Sequence, residues 1–144
     1  MALRVLIDTN VLLDYLLDRE PYGQWARTIV EACQKRKLIG CIAAHSVTNI
    51  FYILRRDFSI AERKAILKDI CRLFDVEGID REKLECALAN ESFSDFEDCL
   101  QVECAKVFHA DYIVTRNTKD FFDSTIACIE PEPMCEMIDK MGDA

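Results

Sequence analysis

Three short segments carry the polar residues that could do chemistry. In Val5-Leu6-Ile7-Asp8-Thr9-Asn10-Val11-Leu12-Leu13 an apolar run delivers a carboxylate to the point where a strand gives way to a helix. In an open parallel sheet the functional crevice lies outside the carboxyl ends of the strands, so Asp8 is placed to hold a cation or the metal of an incoming phosphate. Asp8 alone leaves a second reading equally open, in which it merely ends the strand and Thr9 or Asn10 caps the helix.

A second acidic cluster, Ser94-Asp95-Phe96-Glu97-Asp98, precedes Cys99-Leu100-Gln101-Val102-Glu103-Cys104-Ala105. Ser94 with Glu97 three residues on has the pattern of a capping box. With Ser94 as cap, Asp95 and Asp98 share one face at the positive end of the helix. Three acids in four residues exceed what capping needs. The third segment is Ala110-Asp111-Tyr112-Ile113-Val114-Thr115-Arg116-Asn117, a short apolar strand that again ends in polar residues. Apolar runs with polar carboxyl-terminal tips are the pattern of strands buried on both faces and open at one edge. Thr115, Arg116 and Asn117 then share the crevice of Asp8.

The elements that must position these residues alternate. Strands are expected at Leu3 to Ile7, Ile39 to Ala43, Phe74 to Gly78, around Tyr112, and from Thr125 to Ile129. Helices are expected from Val11 to Leu17, Gln24 to Arg36, after a Ser46 cap, after the Ser59/Glu62 capping box, from Asp80 to Asn90, after Ser94, and after Pro131. Such alternation predicts an α/β fold with a parallel sheet covered on both faces. The 144 residues are read as one domain, 1–144, long enough to bury roughly 70% of the surface of the unfolded chain.

Composition excludes several function classes. The early apolar stretch is interrupted by Asp8, Asn10 and Asp14, which argues against a membrane span or secretory signal and for a cytoplasmic location. Eight cysteines, none in a Cys-x-x-Cys pair, together with only His45 and His109 as imidazoles, make a structural zinc site improbable, so most thiols are read as small core residues. Cys99 beside Asp98 is not read as a nucleophile, because neighbouring acids raise its pKa. Four scattered glycines leave neither a dinucleotide fingerprint nor a P-loop. A Gly-x-Ser-x-Gly elbow is also absent, and the second aspartate of an aspartyl-phosphate phosphatase is replaced by Asn10. The net charge of −8 opposes nonspecific nucleic-acid binding, yet carboxylates that hold divalent cations inflate that count while presenting a positive centre to phosphate.

Taken together, the early strand ending in Asp8-Thr9-Asn10, the late helix opening with Asp95-Phe96-Glu97-Asp98, and the strand ending in Thr115-Arg116-Asn117 ahead of Asp120-Phe121 resemble the PIN-domain nucleases over nearly the whole chain. The resemblance is strongest to the small single-domain bacterial and archaeal members, among them the VapC-type toxins of toxin-antitoxin pairs. It implies a three-layer α/β/α domain with a mainly parallel sheet of about five strands. It also implies acids that gather Mg²⁺ or Mn²⁺ for hydrolysis of RNA, a homodimer, and a small antitoxin protein as partner.

Carried over by residue, Asp8 matches the family's first acid and Asp98 the acid opening the late helix. The family's second acid aligns near Asn49, and the acid after the Thr-Arg pair aligns with Asn117, so two anionic ligands are replaced by amides that contribute no charge. Asp95 is the expected compensating metal ligand, ahead of Asp120. Thr9, Asn10 and Thr115 are expected to orient their acidic or amide neighbours, and Asp14 to lie at the surface. The competing implication is a catalytically weakened PIN-like module that binds RNA or protein.

Overall fold

The computed structural model describes residues 2–92, 95–121 and 123–142. The first apolar run forms β1 (Leu3–Ile7) and leads directly into α1 (Thr9–Leu16). Next come α2 (Tyr22–Gln34), β2 (Leu38–Ala43), α3 (Ala44–Ile53), α4 (Ile60–Leu73) and β3 (Asp75–Glu77). The chain continues through α5 (Arg81–Ala89), α6 (Phe96–Phe108), β4 (Tyr112–Val114), β5 (Ala127–Ile129) and α7 (Pro131–Met141), with short 3₁₀ turns at Leu54–Arg56 and Thr118–Phe121. All five strands are parallel, in the order β3-β2-β1-β4-β5. The expected α/β architecture and its mainly parallel sheet are therefore present.

Strand pleating distributes the core to two faces. Val5 and Ile7 of β1 join Leu38, Ile42 and Val114 against helices α1, α2, α3, α4 and α7. Leu6, between them, points the other way and packs with Cys41, Ala43 and Ile113 against Val102, Cys104, Ala105 and Phe108 of α6. The three layers follow from this period of two in the strands and the apolar stripes of the helices. Five cysteines, 33, 41, 99, 104 and 135, are buried, and all eight are free thiols. Burial pushes the Cys33, Cys41 and Cys104 thiols up to about 12, so they behave as the expected small apolar residues.

Several boundaries differ from the sequence-based expectation. Asp8 itself is the N-cap of α1, its Oδ1 accepting from the Thr9 N–H at 2.8 Å, so neither Thr9 nor Asn10 caps. Helix α2 starts at Tyr22, behind Pro21, where a missing N–H costs nothing. Ser46 caps nothing: α3 begins at Ala44, and the Ser46 hydroxyl is fully buried inside it. Ser94, the expected cap of α6, lies outside the described residues; Asp95 is the N-cap, with its Oδ1 accepting from the Asp98 N–H at 3.0 Å. The Ser59/Glu62 capping box of α4 and the Asp80 start of α5 are as expected.

At Gly40 helix and sheet approach closely. A Cβ there would stand 2.7 Å from the Phe74 ring and 2.8 Å from Cys33 Sγ, closer than real side chains come. Gly40→Ala should therefore destabilise by about 1–3 kcal/mol through overpacking. Urea unfolding checks this as a lowered midpoint at unchanged slope.

Candidate functional site

The strand order reverses at β1, with β2 on one side and β4 on the other. At such a point the crossovers depart in opposite directions and leave a crevice beyond the strand ends. Asp8 and Thr115, the residues just past β1 and β4, meet there. The Asp8 N–H donates to the Val114 carbonyl at 3.0 Å, and the Thr115 hydroxyl donates to Asp8 Oδ2 at 2.9 Å. Both side chains are buried, and burial holds the Asp8 carboxyl above its usual pKa despite these two donors.

The crevice opens into a pocket of about 370 Å³ whose lining includes Asp8, Asp95, Asp98, Asp120, Asn49 and Asn117. Asp98 stands in the first turn of α6, where the helix dipole favours an anion. Burial and the charges of Asp95, Asp8, Asp120 and Glu97 nevertheless push its carboxyl up to about 7. Like charges crowded in low dielectric disfavour further ionisation, and the proton is the cation that relieves them. Below the acids, the Gln101 amide donates to Thr9 Oγ1 at 3.2 Å and Ser46 Oγ at 3.1 Å, while those two hydroxyls share a 2.7 Å hydrogen bond. This buried knot ties the starts of α1 and α3 to α6.

The family model described as PIN domain matches residues 4–119. The chain belongs to the PIN-domain family. Solved structures with the same fold include a toxin-antitoxin complex from Klebsiella pneumoniae, with TM-score 0.67, 19% identity and coverage of 88% of this chain and 97% of that one. FitAcB from Neisseria gonorrhoeae aligns with TM-score 0.65 at 19% identity over 89% of this chain and 98% of its own. DNA-bound VapBC from Salmonella typhimurium aligns with TM-score 0.60 at 14% identity over 90% and 98% of the two chains. No curated protein sequence is similar enough to this chain to count as a match. PIN domains are typically metal-dependent.

In this PIN domain the residues singled out from the sequence converge for the most part. Asp8, Asp95, Asp98, Asn49 and Asn117 border one pocket, and Thr115 lies buried beneath it. Asn49 does not face an empty ligand position: its amide donates to Glu97 Oε1 at 3.3 Å, so an acid from α6 lies beside the neutral residue of α3. Asp95 spends one oxygen on the α6 cap. Asp120, the less favoured acid, lines the pocket and raises the pKa of both Asp8 and Asp98. Two expectations are corrected. Asp14 is not at the surface but 1% exposed, because Arg116 closes over it, with Nη2 donating to Oδ1 at 3.2 Å and Nε 2.7 Å from Oδ2. Arg116 accordingly does not line the acidic pocket but turns toward α1 and α2, from where its charge still partly offsets the raised Asp8 pKa.

Sequence reasoning missed Ser46, Gln101, Glu97 and His45 as members of this site. Gln101 is three residues after Asp98, and His45 four before Asn49, so helical spacing alone could have placed both on the right faces. His45 lines the pocket, and burial pulls its pKa below the usual value against the opposing pull of Glu97.

Among the described residues no three acidic, histidine or cysteine side chains form a finished metal cage. The donor set still suits a hard divalent ion, since it consists of carboxylate and amide oxygens from the end of β1, α3, α6 and the segment after β4. The raised Asp98 pKa marks where a positive charge is wanted. Its folded value lies above its unfolded one, so stability is lost as pH rises from about 4 to about 7 and the penalty is complete above that. Asp98→Asn should then raise the melting temperature at pH 8 by about 2–4 °C, corresponding to about 1 kcal/mol after allowing for solvent screening. At pH 3.5 the parent and variant should melt alike, and calorimetry at the two pH values checks it.

Proposed function

We propose that this protein is a divalent-metal-dependent ribonuclease hydrolysing RNA phosphodiester bonds, the toxin of a toxin-antitoxin module acting in the cytoplasm. One observation carries the reading: Asp8 and Asp98, far apart in the chain, border a single pocket in which burial and further acids push the Asp98 carboxyl up to about 7. Asp8 and Asp98 would hold Mg²⁺ or Mn²⁺, with Asp95 as the further anionic ligand. A bound divalent ion would supply an activated water and neutralise charge developing on the phosphate oxygens.

The chain's own groups set the geometry. The Thr115 hydroxyl fixes one Asp8 oxygen and the Thr9 N–H the other, so the carboxylate cannot turn away from the pocket. Thr115 Oγ1 also accepts from the Asn117 N–H at 3.0 Å, which sets the loop carrying Asn117 at the pocket edge. Asn117 and Asn49 orient ligands through neutral amides, and their neutrality lowers affinity for the ion relative to a four-acid site. The partners that fit this reading are an RNA substrate, a second copy of the chain as homodimer, and a small antitoxin protein, since similar folds occur in toxin-antitoxin complexes, some of them bound to DNA.

The deciding experiment is Mn²⁺-dependent cleavage of single-stranded RNA. Asp98→Asn and Asp8→Asn should each lower the rate by about a hundredfold or more, and a chelator should abolish it. The absence of any cleavage that Asp98→Asn removes would favour the alternative, in which the two asparagines mark a weakened module that binds RNA or protein. Metal binding itself is read independently: Mn²⁺ at a hundredfold above its dissociation constant should add about 2.7 kcal/mol to stability in the parent and far less in Asp98→Asn.

A further inference from the structure

Beside the acidic pocket, and sharing Asn117 with it, lies a second cavity of about 330 Å³ between α2, the loop after β4 and the start of α7. Its walls are unlike those of the first. Tyr22 and Trp25 supply aromatic faces, their ring centroids 6.2 Å apart and inclined at 60°. The Arg116 guanidinium stacks over Tyr22 at 4.2 Å from the ring centroid and is anchored from behind by the buried Asp14 carboxylate. Glu130 and Glu132 stand exposed at the rim, with no ion pair among the described residues.

We infer that this cavity is a nucleobase subsite, which accepts the base of the nucleotide next to the scissile phosphate and favours guanine. The inference rests on the ribonuclease reading for its substrate and extends it to sequence preference. Unstacked bases of single-stranded RNA are recognised by stacking on aromatic rings and guanidinium planes, with hydrogen bonds to their Watson–Crick edges. Tyr22, Trp25 and Arg116 present such planes. Asn117 stands at the border of both cavities, so a chain whose phosphate lies among the acids carries its adjoining base into the second.

The glutamates set the choice of base. A carboxylate only accepts hydrogen bonds, and guanine offers two adjacent donors, N1–H and N2–H, to its two oxygens. Uracil offers a single donor flanked by carbonyls that would meet the carboxylate with like charge. The negative rim also repels phosphate, which directs the base rather than the backbone into the cavity. Asp14 acts at a distance: it holds Arg116 flat against Tyr22 and out of the acidic pocket, where a guanidinium would otherwise compete with the metal.

Trp25 is the single tryptophan, so its fluorescence reports this cavity alone. The protein is titrated with the nucleosides guanosine and uridine in chelator, so that neither a phosphate nor the acidic pocket enters the measurement. Saturable quenching is expected, with guanosine binding about tenfold or more tightly than uridine. Glu130→Gln and Glu132→Gln, both at exposed positions, should erase that difference while quenching persists. Absence of quenching by either nucleoside, or equal affinities unchanged in both variants, overturns the inference. Failure of the nuclease reading looks different: Trp25 responds to guanosine, yet no Mn²⁺-dependent cleavage sensitive to Asp98→Asn is found.

Discussion

Because β1 pairs with β2 on one side and β4 on the other, the chain leaves the centre of the sheet in opposite directions, and the carboxyl edge of β1 opens into a crevice. Asp8 is the residue that reaches this edge, and it is only 6% exposed there. Its two oxygens are taken by the Thr9 N–H and the Thr115 hydroxyl, which join the first helix and the fourth strand to a single carboxylate. The same side chain thus ends β1, starts α1 and registers β1 against β4. Loss of its geometry would disturb the fold and the site together, since the same two bonds position both.

A cluster of acids at this place works against stability. Burial disfavours the charge of Asp98, while Asp8, Asp95, Asp120 and Glu97 add repulsion, and its carboxyl is pushed up to about 7. The surrounding structure tolerates the strain because it is locked elsewhere: Thr9, Ser46 and Gln101 form a buried hydrogen-bonded knot under the acids, and two apolar clusters grip the sheet from both faces. Pre-organised repulsion of this kind is what a cation-binding pocket requires, since the charge that relieves it gains the whole of the relief.

Much of this was legible without coordinates. Alternation of apolar runs and amphipathic stretches fixes the parallel α/β class, and a polar residue at the end of a doubly buried strand can hardly point anywhere but outward from the sheet edge. Asp8, Asp98 and the Thr115 tip were therefore visible as one-dimensional signals, as were the Ser59 and Asp80 helix starts. Caps were harder to read. Asp8, Asp95 and Ser46 each stand beside other residues able to cap, and the choice among them is settled by which hydroxyl or carboxylate tertiary packing leaves free. Ser46 is taken by Thr9 and Gln101, so it caps nothing.

Sequence alone determined the number and kind of elements, the acids at their ends and the family, because these depend on periodicity and on residues close in the chain. The partners of those residues were decided only in three dimensions. That Arg116 turns away from the acids to cover Asp14, that Glu97 stands beside Asn49, and that Asp120 faces Asp8 and Asp98 follow from strand order and helix orientation. Each pairs groups between 22 and 112 residues apart, and no local pattern encodes such a choice. The physical reason is that burial and charge act through space, so a carboxylate acquires its pKa and its partner only once the chain has closed around it.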